Sequence, residues 1–354
     1  MGVSKPGVAI VGLGLIARTH AAAYRQMGDV VELVAGCDID PLAATRFEAE
    51  FGCQTYSDMH AVINNPAVDI VDLILPHHLH YEAALAVLDA KKHLLIEKPV
   101  AGTYQEALAI CRKADEAGVH FMVAENTRYI AAYVAVEKLL KAGVIGDVIH
   151  ARTFLRSNEK DHLSRPGYWR TRYSLGGGLV MDTGAHSFYL LKWLLGEVDE
   201  VVGFATKVFP LENEIEDTAE VRGRLSTGAH FSCGFTSVSE IPHSERLELY
   251  GTDGGIIVDQ MADPVVKVFR GAQDFKGEPV SGVPFGPDAW NPGGWHYESV
   301  IAEVTDYVRS LVEGRPPLIN SDDCAYAIKV VEASYRSIRS RQPVALGASA
   351  ITGQ

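Results

Sequence analysis

Apolar and polar positions fall into blocks along the first third of the chain. Short aliphatic runs rich in β-branched residues lie at 8–11, 30–37, 69–75, 94–97 and 119–124. Between them, apolar residues recur at helical spacing up to about residue 27 and over 41–51, 80–90 and 104–117. Pro41 suits a first helical turn, Gly118 a helix C-cap, and Pro76 ends a strand. Strands alternating with helices of this length predict a parallel sheet covered on both faces. After Arg128 the texture changes. A helix over 131–142 and a strand over 148–155 precede a polar loop at 157–174, and three glycines lead into a helix over 181–195. Strands then follow one another at 201–209, 218–226, 229–237, 245–250, 255–259 and 265–269, separated by turn signals such as Ser226-Thr227-Gly228. The stretch 271–294 is rich in Gly and Pro and reads as a long loop, before helices at 296–313 and 322–340. The expectation is an α/β chain of two domains, 1–126 around a parallel sheet and 127–354 around a large, open, mainly antiparallel sheet.

Composition narrows the function classes. The 354 residues are 47% hydrophobic and 22% charged, enough for two domains with their own cores. A net charge of −13 argues against nucleic acid or anionic membrane as a partner. Cys37, Cys53, Cys111, Cys233 and Cys324 are scattered and odd in number, which favours reduced thiols and a cytoplasmic setting. No apolar run approaches the ~18 residues of a membrane span. The apolar stretch after Lys5 imitates a signal peptide, but its glycine spacing has a better explanation.

That spacing is Gly12-Leu13-Gly14-Leu15-Ile16-Ala17, the G-x-G-x-x-G/A form between a strand and a helix. Gly12 permits a tight turn, Gly14 lets a pyrophosphate approach the backbone, and Ala17 is small enough for helix–strand contact. Leu15 and Ile16 open the helix whose N–H groups and positive potential face the phosphates. Asp38 ends the next strand, near the ~20-residue offset expected of a ribose-binding carboxylate. With Ile39 and Asp40 following and no Lys or Arg between Cys37 and Thr45, NAD is expected over NADP. The first domain therefore reads as a Rossmann dinucleotide-binding domain.

A second constellation is the strand end Leu94-Leu95-Ile96-Glu97-Lys98-Pro99. Lys and Glu are rarely buried unless paired or working, and ligands bind outside the carboxyl ends of such strands. A surface ion pair is the plain alternative. A third is Gly176-Gly177-Gly178 followed by Asp182 and, four residues on, His186. On a helix these two share a face, so the acid can orient and activate the histidine as a general acid/base. An Asp N-cap beside a core histidine is the alternative there. His77-His78-x-His80 suggests a metal, but no acid or cysteine is placed to complete a site, and none is expected.

Taken together, the glycine loop, Asp38, Pro76 with His80, Glu97-Lys98-Pro99 and Asp182-x-x-x-His186 resemble the Gfo/Idh/MocA oxidoreductases over essentially the whole chain. The resemblance implies a nicotinamide cofactor and a sugar, glycoside or cyclitol substrate. It implies that Lys98 meets both substrate and nicotinamide, that His186 exchanges the hydroxyl proton, and that Asp182 orients it. Glu97 and His80 would line the cofactor pocket, Asn126 would face it, and Trp169 and Arg170 would lie near the cofactor. Arg156 and Tyr168 would contact substrate, with His162, Arg172, Trp290 and His296 as looser candidates. The resemblance also implies a homodimer or homotetramer formed through the second sheet, whose apolar face would otherwise be wet. A redox-assisted glycosidase or eliminase is the alternative within the family, and a non-catalytic NAD-binding regulator the alternative outside it.

Overall fold

A computed structural model describes residues 5–210, 214–286 and 288–347. The chain packs as two compact units. One comprises Met1–Asn126 with Tyr297–Ala325, the other Thr127–His296 with Tyr326–Gln354. The sequence reading gave everything after residue 126 to the second domain. The packing instead assigns a late helical segment to the first.

In the first unit the order is β1 (Gly7–Val11), α1 (Leu15–Gln26), β2 (Glu32–Cys37), α2 (Pro41–Phe51), β3 (Gln54–Tyr56), α3 (Met59–Ile63), β4 (Ile70–Leu73), α4 (His80–Asp89), β5 (His93–Glu97), α5 (Tyr104–Ala117) and β6 (Phe121–Ala124). All pairs are parallel and the strand order is β3-β2-β1-β4-β5-β6, the doubly wound order with its switch point beside β1. Helices on both faces explain why β1, β4 and β5 are apolar without alternation: Ile10, Val71 and Leu95 have no exposed surface. Asp72, equally buried in the middle of β4, breaks that rule. Local chemistry sets the helix ends. Thr103 and Glu106 form a reciprocal capping box at α5, Gly118 ends it at φ 65°, and Asp40 caps α2 through the Leu42 N–H. The sequence reading missed β3 and α3, which are too short to show a period.

The second unit holds α6 (Ala131–Lys141), β7 (Val148–Arg156), α7 (Lys160–Leu163), α8 (Ala185–Leu195), β8 (Val198–Thr206), β9 (Thr218–Leu225), β10 (His230–Thr236), β11 (Ser244–Gly251), β12 (Gly255–Asp259), β13 (Val266–Phe269), β14 (Glu278–Pro279) and β15 (Val344–Ala345). Its nine-stranded sheet runs β14-β13-β12-β11-β7-β10-β9-β8-β15, antiparallel except between β7 and β10. Two further helices, α9 (Trp295–Glu313) and α10 (Ser321–Ser340), close the chain.

Alternation along these strands gives the sheet two different faces. Ala151, Thr153 and Leu155 of β7, with Phe231, Cys233 and Phe235 of β10, are buried. The Phe188 ring of α8 meets Phe235 edge-on at 6.4 Å. The opposite face carries Arg152, Glu220, Arg222, Arg246 and Glu248, with Arg246 paired to Glu248 at 2.7 Å and to Asp259 at 2.8 Å. The open face is thus charged with scattered aromatics, not the apolar surface expected.

Candidate active site

The glycine loop between β1 and α1 has the shape its spacing predicts. Gly12 has φ 94°, and a Cβ there would stand 2.0 Å from the Ile74 carbonyl oxygen. A Cβ at Gly14 would meet nothing within 4 Å, so the backbone is approachable on that side. The first turn of α1 has no side-chain cap, Leu15 is 73% exposed, Ile16 is half-buried and Ala17 is fully buried. Asp38 takes the Leu13 N–H on Oδ2 and the Asp40 N–H on Oδ1, each at 2.8 Å. A carboxylate tied to the loop, beside uncapped helix amides, fits the ribose and pyrophosphate of a dinucleotide.

At the end of β5, Glu97 Oε2 accepts the Lys98 N–H at 3.0 Å, and the Lys98–Pro99 peptide is cis. Glu97 Oε1 lies 3.3 Å from His20 Nε2. His20 Nδ1 faces Asp72 Oδ2 at 2.9 Å, and the Tyr24 hydroxyl donates to the same oxygen at 2.9 Å. His80 is fully buried, with Nδ1 2.8 Å from the Pro99 carbonyl and Nε2 2.8 Å from that of Leu75. Burial holds its pKa below the ordinary range, although both carbonyls favour the cation. The two contacts brace the Pro99 turn. Pro76 leads into the short turn His77–Leu79, and Asn126 donates to Ser299 Oγ at 2.8 Å. Both ring nitrogens of His80 are thus engaged by backbone carbonyls. Among the described residues, His20, Glu97 and Glu303 do bring their donor atoms within 4.8 Å of one another, close enough to share a proton or a small cation. Sequence reasoning missed His20 and Glu303. The signal for the cluster was Asp72, a carboxylate inside an apolar strand.

In the second unit, a π-helical turn (Val180–Gly184) runs directly into α8 and carries Asp182. Wide turns of this kind recur at functional sites. Asp182 Oδ2 pairs with Arg170 Nε at 3.3 Å. Arg170 also donates to the Tyr168 hydroxyl at 2.6 Å and stacks on Trp169 at 4.4 Å, so two further predicted residues hold the guanidinium that pairs with Asp182. His186 Nδ1 lies 3.2 Å from the Thr127 hydroxyl, over a small cavity shared with Thr153 and Ser187. The turn is fixed by Glu216, which the sequence reading overlooked. This buried carboxylate accepts from the Val180 N–H at 2.9 Å, the Tyr173 hydroxyl at 2.6 Å and the Tyr335 hydroxyl at 2.8 Å. The glycines serve the same packing: a Cβ at Gly177 would strike the Arg170 carbonyl at 2.2 Å, and one at Gly178 the Tyr335 hydroxyl at 2.2 Å. They admit protein neighbours. Arg156 is set apart, since it projects from the charged face of β7 with Nη2 3.0 Å from Met261 Sδ. His162 pairs with Glu159, whereas Trp290 and His296 join His243 in an aromatic cluster.

Comparisons with known proteins agree with this architecture. Residues 7–125 match the model of an oxidoreductase family with an NAD-binding Rossmann fold, and residues 133–257 match the GFO/IDH/MocA C-terminal domain. Levoglucosan dehydrogenase from Pseudarthrobacter phenanthrenivorans is 26% identical, over 87% of this chain and 89% of its own. Myo-inositol 2-dehydrogenase from Thermotoga maritima is 25% identical, over 96% and 98%. A solved levoglucosan dehydrogenase in complex with NADH and levoglucosan superposes with a TM-score of 0.86 at 24% identity, covering 97% of this chain and 100% of that one. The two matched models together cover more than half of the chain, which belongs to the GFO/IDH/MocA family of NAD-binding oxidoreductases.

Proposed function

We propose that this protein is an NAD-dependent dehydrogenase of a sugar, glycoside or cyclitol hydroxyl, working in reverse on the ketone. NAD supplies the hydride acceptor. Gly12, Gly14, the first turn of α1 and Asp38 hold its pyrophosphate and ribose, and Lys98 serves its nicotinamide end. His186, with Nδ1 engaged by Thr127, takes the hydroxyl proton on Nε2. Lys98 donates a hydrogen bond to the oxygen as negative charge develops on it. Asp182, paired with Arg170, orients His186 and offsets its charge once protonated. Tyr168 contacts substrate through the same cluster. The observation that supports the reading is the π-helical turn that carries Asp182 and leads directly into the helix of His186, its first amide held by Glu216. Sugar and cyclitol substrates are supported by the activities named for the two relatives. Incubating the protein with NAD and a panel of sugars, cyclitols and glycosides tests it. Growth of NADH absorbance is expected; bond cleavage without it indicates redox-assisted elimination, and neither indicates a regulator.

The setting we propose is cytoplasmic, in keeping with five cysteines that are buried and unpaired. No helix among the described residues is long and apolar enough to cross a membrane. We propose a homodimer or homotetramer built on the charged face of the second sheet. Light scattering should return a multiple of 38.4 kDa that falls toward one chain at high salt.

A further inference from the structure

Glu303 lies on α9 in the first unit with no exposed surface, and neither of its carboxylate oxygens has a hydrogen-bond partner. Its neighbours define its charge. Asp72 already takes the Tyr24 hydroxyl and faces His20 Nδ1, which therefore carries a proton. A bare His20 Nε2 would point its lone pair at Glu97 Oε1 across 3.3 Å, two acceptors in contact. A second proton on His20 removes that conflict and leaves a cation between Asp72 and Glu97. Glu303 is then a further buried carboxyl, with Glu125, only 2% exposed, also acting on it. The one positive charge is already shared, and an uncompensated carboxylate in such a place costs more than protonation. Burial and then Glu97 act in that direction, holding the Glu303 carboxyl well above the ordinary range. His20 is likewise raised, because Asp72 and Glu97 outweigh the burial that would lower it.

We propose that Glu303 is a positioning residue, kept as a neutral carboxylic acid. It hydrogen-bonds Glu97 directly or across one water, and so fixes the turn on which Lys98 stands. The path is short: Glu303 and Glu97 bring oxygens within 4.8 Å of each other, and Glu97 Oε2 accepts the Lys98 N–H. The inference rests on the reading that Lys98 serves the nicotinamide end. The titratable groups acting on Glu303 are His20 and Tyr24 of α1, Asp72 of β4, Glu97 of β5, Glu125 after β6 and Cys324 of α10.

The test compares the full-length protein with Glu303→Gln and Glu303→Ala. Infrared spectroscopy at neutral pH should show a protonated-carboxyl C=O band that Glu303→Gln removes; its absence from the parent protein overturns the proposal. Melting temperature against pH gives the sign. A carboxyl whose folded pKa is raised contributes stability below its unfolded value and loses it as pH rises, so Glu303→Gln should gain on the parent protein as pH rises. A deficit in Glu303→Gln that grows with pH would mean an ionised Glu303. NADH affinity should stay within about twofold in Glu303→Gln and fall about tenfold in Glu303→Ala, the loss of one hydrogen bond to a charged group. Equal affinity in all three sinks the positioning role, and a stoichiometric divalent metal in elemental analysis replaces the proton with an ion. Should Glu303→Ala fail to fold, the infrared band and the Glu303→Gln series still decide. If no sugar or cyclitol is oxidised, the functional reading fails while these readouts stand.

Discussion

On the proposed reading, single side chains decide cofactor choice and proton transfer. Asp38 has both oxygens on backbone N–H groups, so its charge is fixed where a ribose would lie, and a 2′-phosphate would be repelled. We expect kcat/KM to favour NAD over NADP by about a hundredfold, and Asp38→Ala to erase most of that preference, as for loss of a charged hydrogen bond and a close repulsion. His186→Ala should lower kcat by about a hundredfold at an unchanged melting temperature, because it removes a base. Its acid-side pH–rate limb should flatten as well. A fall in melting temperature with normal turnover per folded molecule would make His186 a packing residue. At this scale the sequence was informative where chemistry is unusual for its place: a carboxylate at a strand end, a Glu-Lys pair, an Asp four before a His. It was silent on Thr127 and Glu216, ordinary residues whose roles come from contacts spanning the second unit.

The element most exposed to perturbation is the π-helical turn. Its first amide and two tyrosine hydroxyls all end on Glu216, so Glu216→Ala would orphan three donors at once. We expect a cost of about 3 kcal/mol, with Glu216→Gln recovering only part, since an amide oxygen accepts less strongly. Denaturant melts measure the loss, and kcat should fall with it as Asp182 shifts. Long elements with caps were legible: α5 begins and ends where Thr103 and Gly118 say it does. The π turn was not, because it uses the same apolar spacing as the helix it precedes. Nor were β3 and β15, whose pairing depends on neighbours rather than on their own few residues.

Across the whole molecule, acid should be more damaging than composition suggests. Burial and then His93 hold His120 down to about 4, against 6.5 for an ordinary histidine. Between those values the unfolded chain binds the extra proton, so stability is full above 6.5 and is lost as pH falls toward 4. Glu137 adds a second, lower window. Burial would raise it, but Trp193, Lys141 and Arg128 hold it at about 2, so its contribution is lost between 4.5 and 2. Melting temperature should therefore begin to decline below pH 6.5 and steepen below 4.5, and His120→Asn should flatten the first phase. The alternating pattern of the chain foretold two sheets of different kinds. It could not foretell that the dinucleotide-binding unit draws on Tyr297–Ala325, because helical periodicity does not say which core a helix joins.

That discontinuity bears on how the protein is made. A ribosome releases residues 1–126 before it reaches Glu303, so the nascent N-terminal portion emerges while the last neighbour of His20 and Glu97 is still unsynthesised. The nucleotide-binding half, although first in the message, is among the last parts to be completed. We therefore expect cofactor loading to be a late event of biogenesis, and a fragment cut after Asn126 to lack part of its own core.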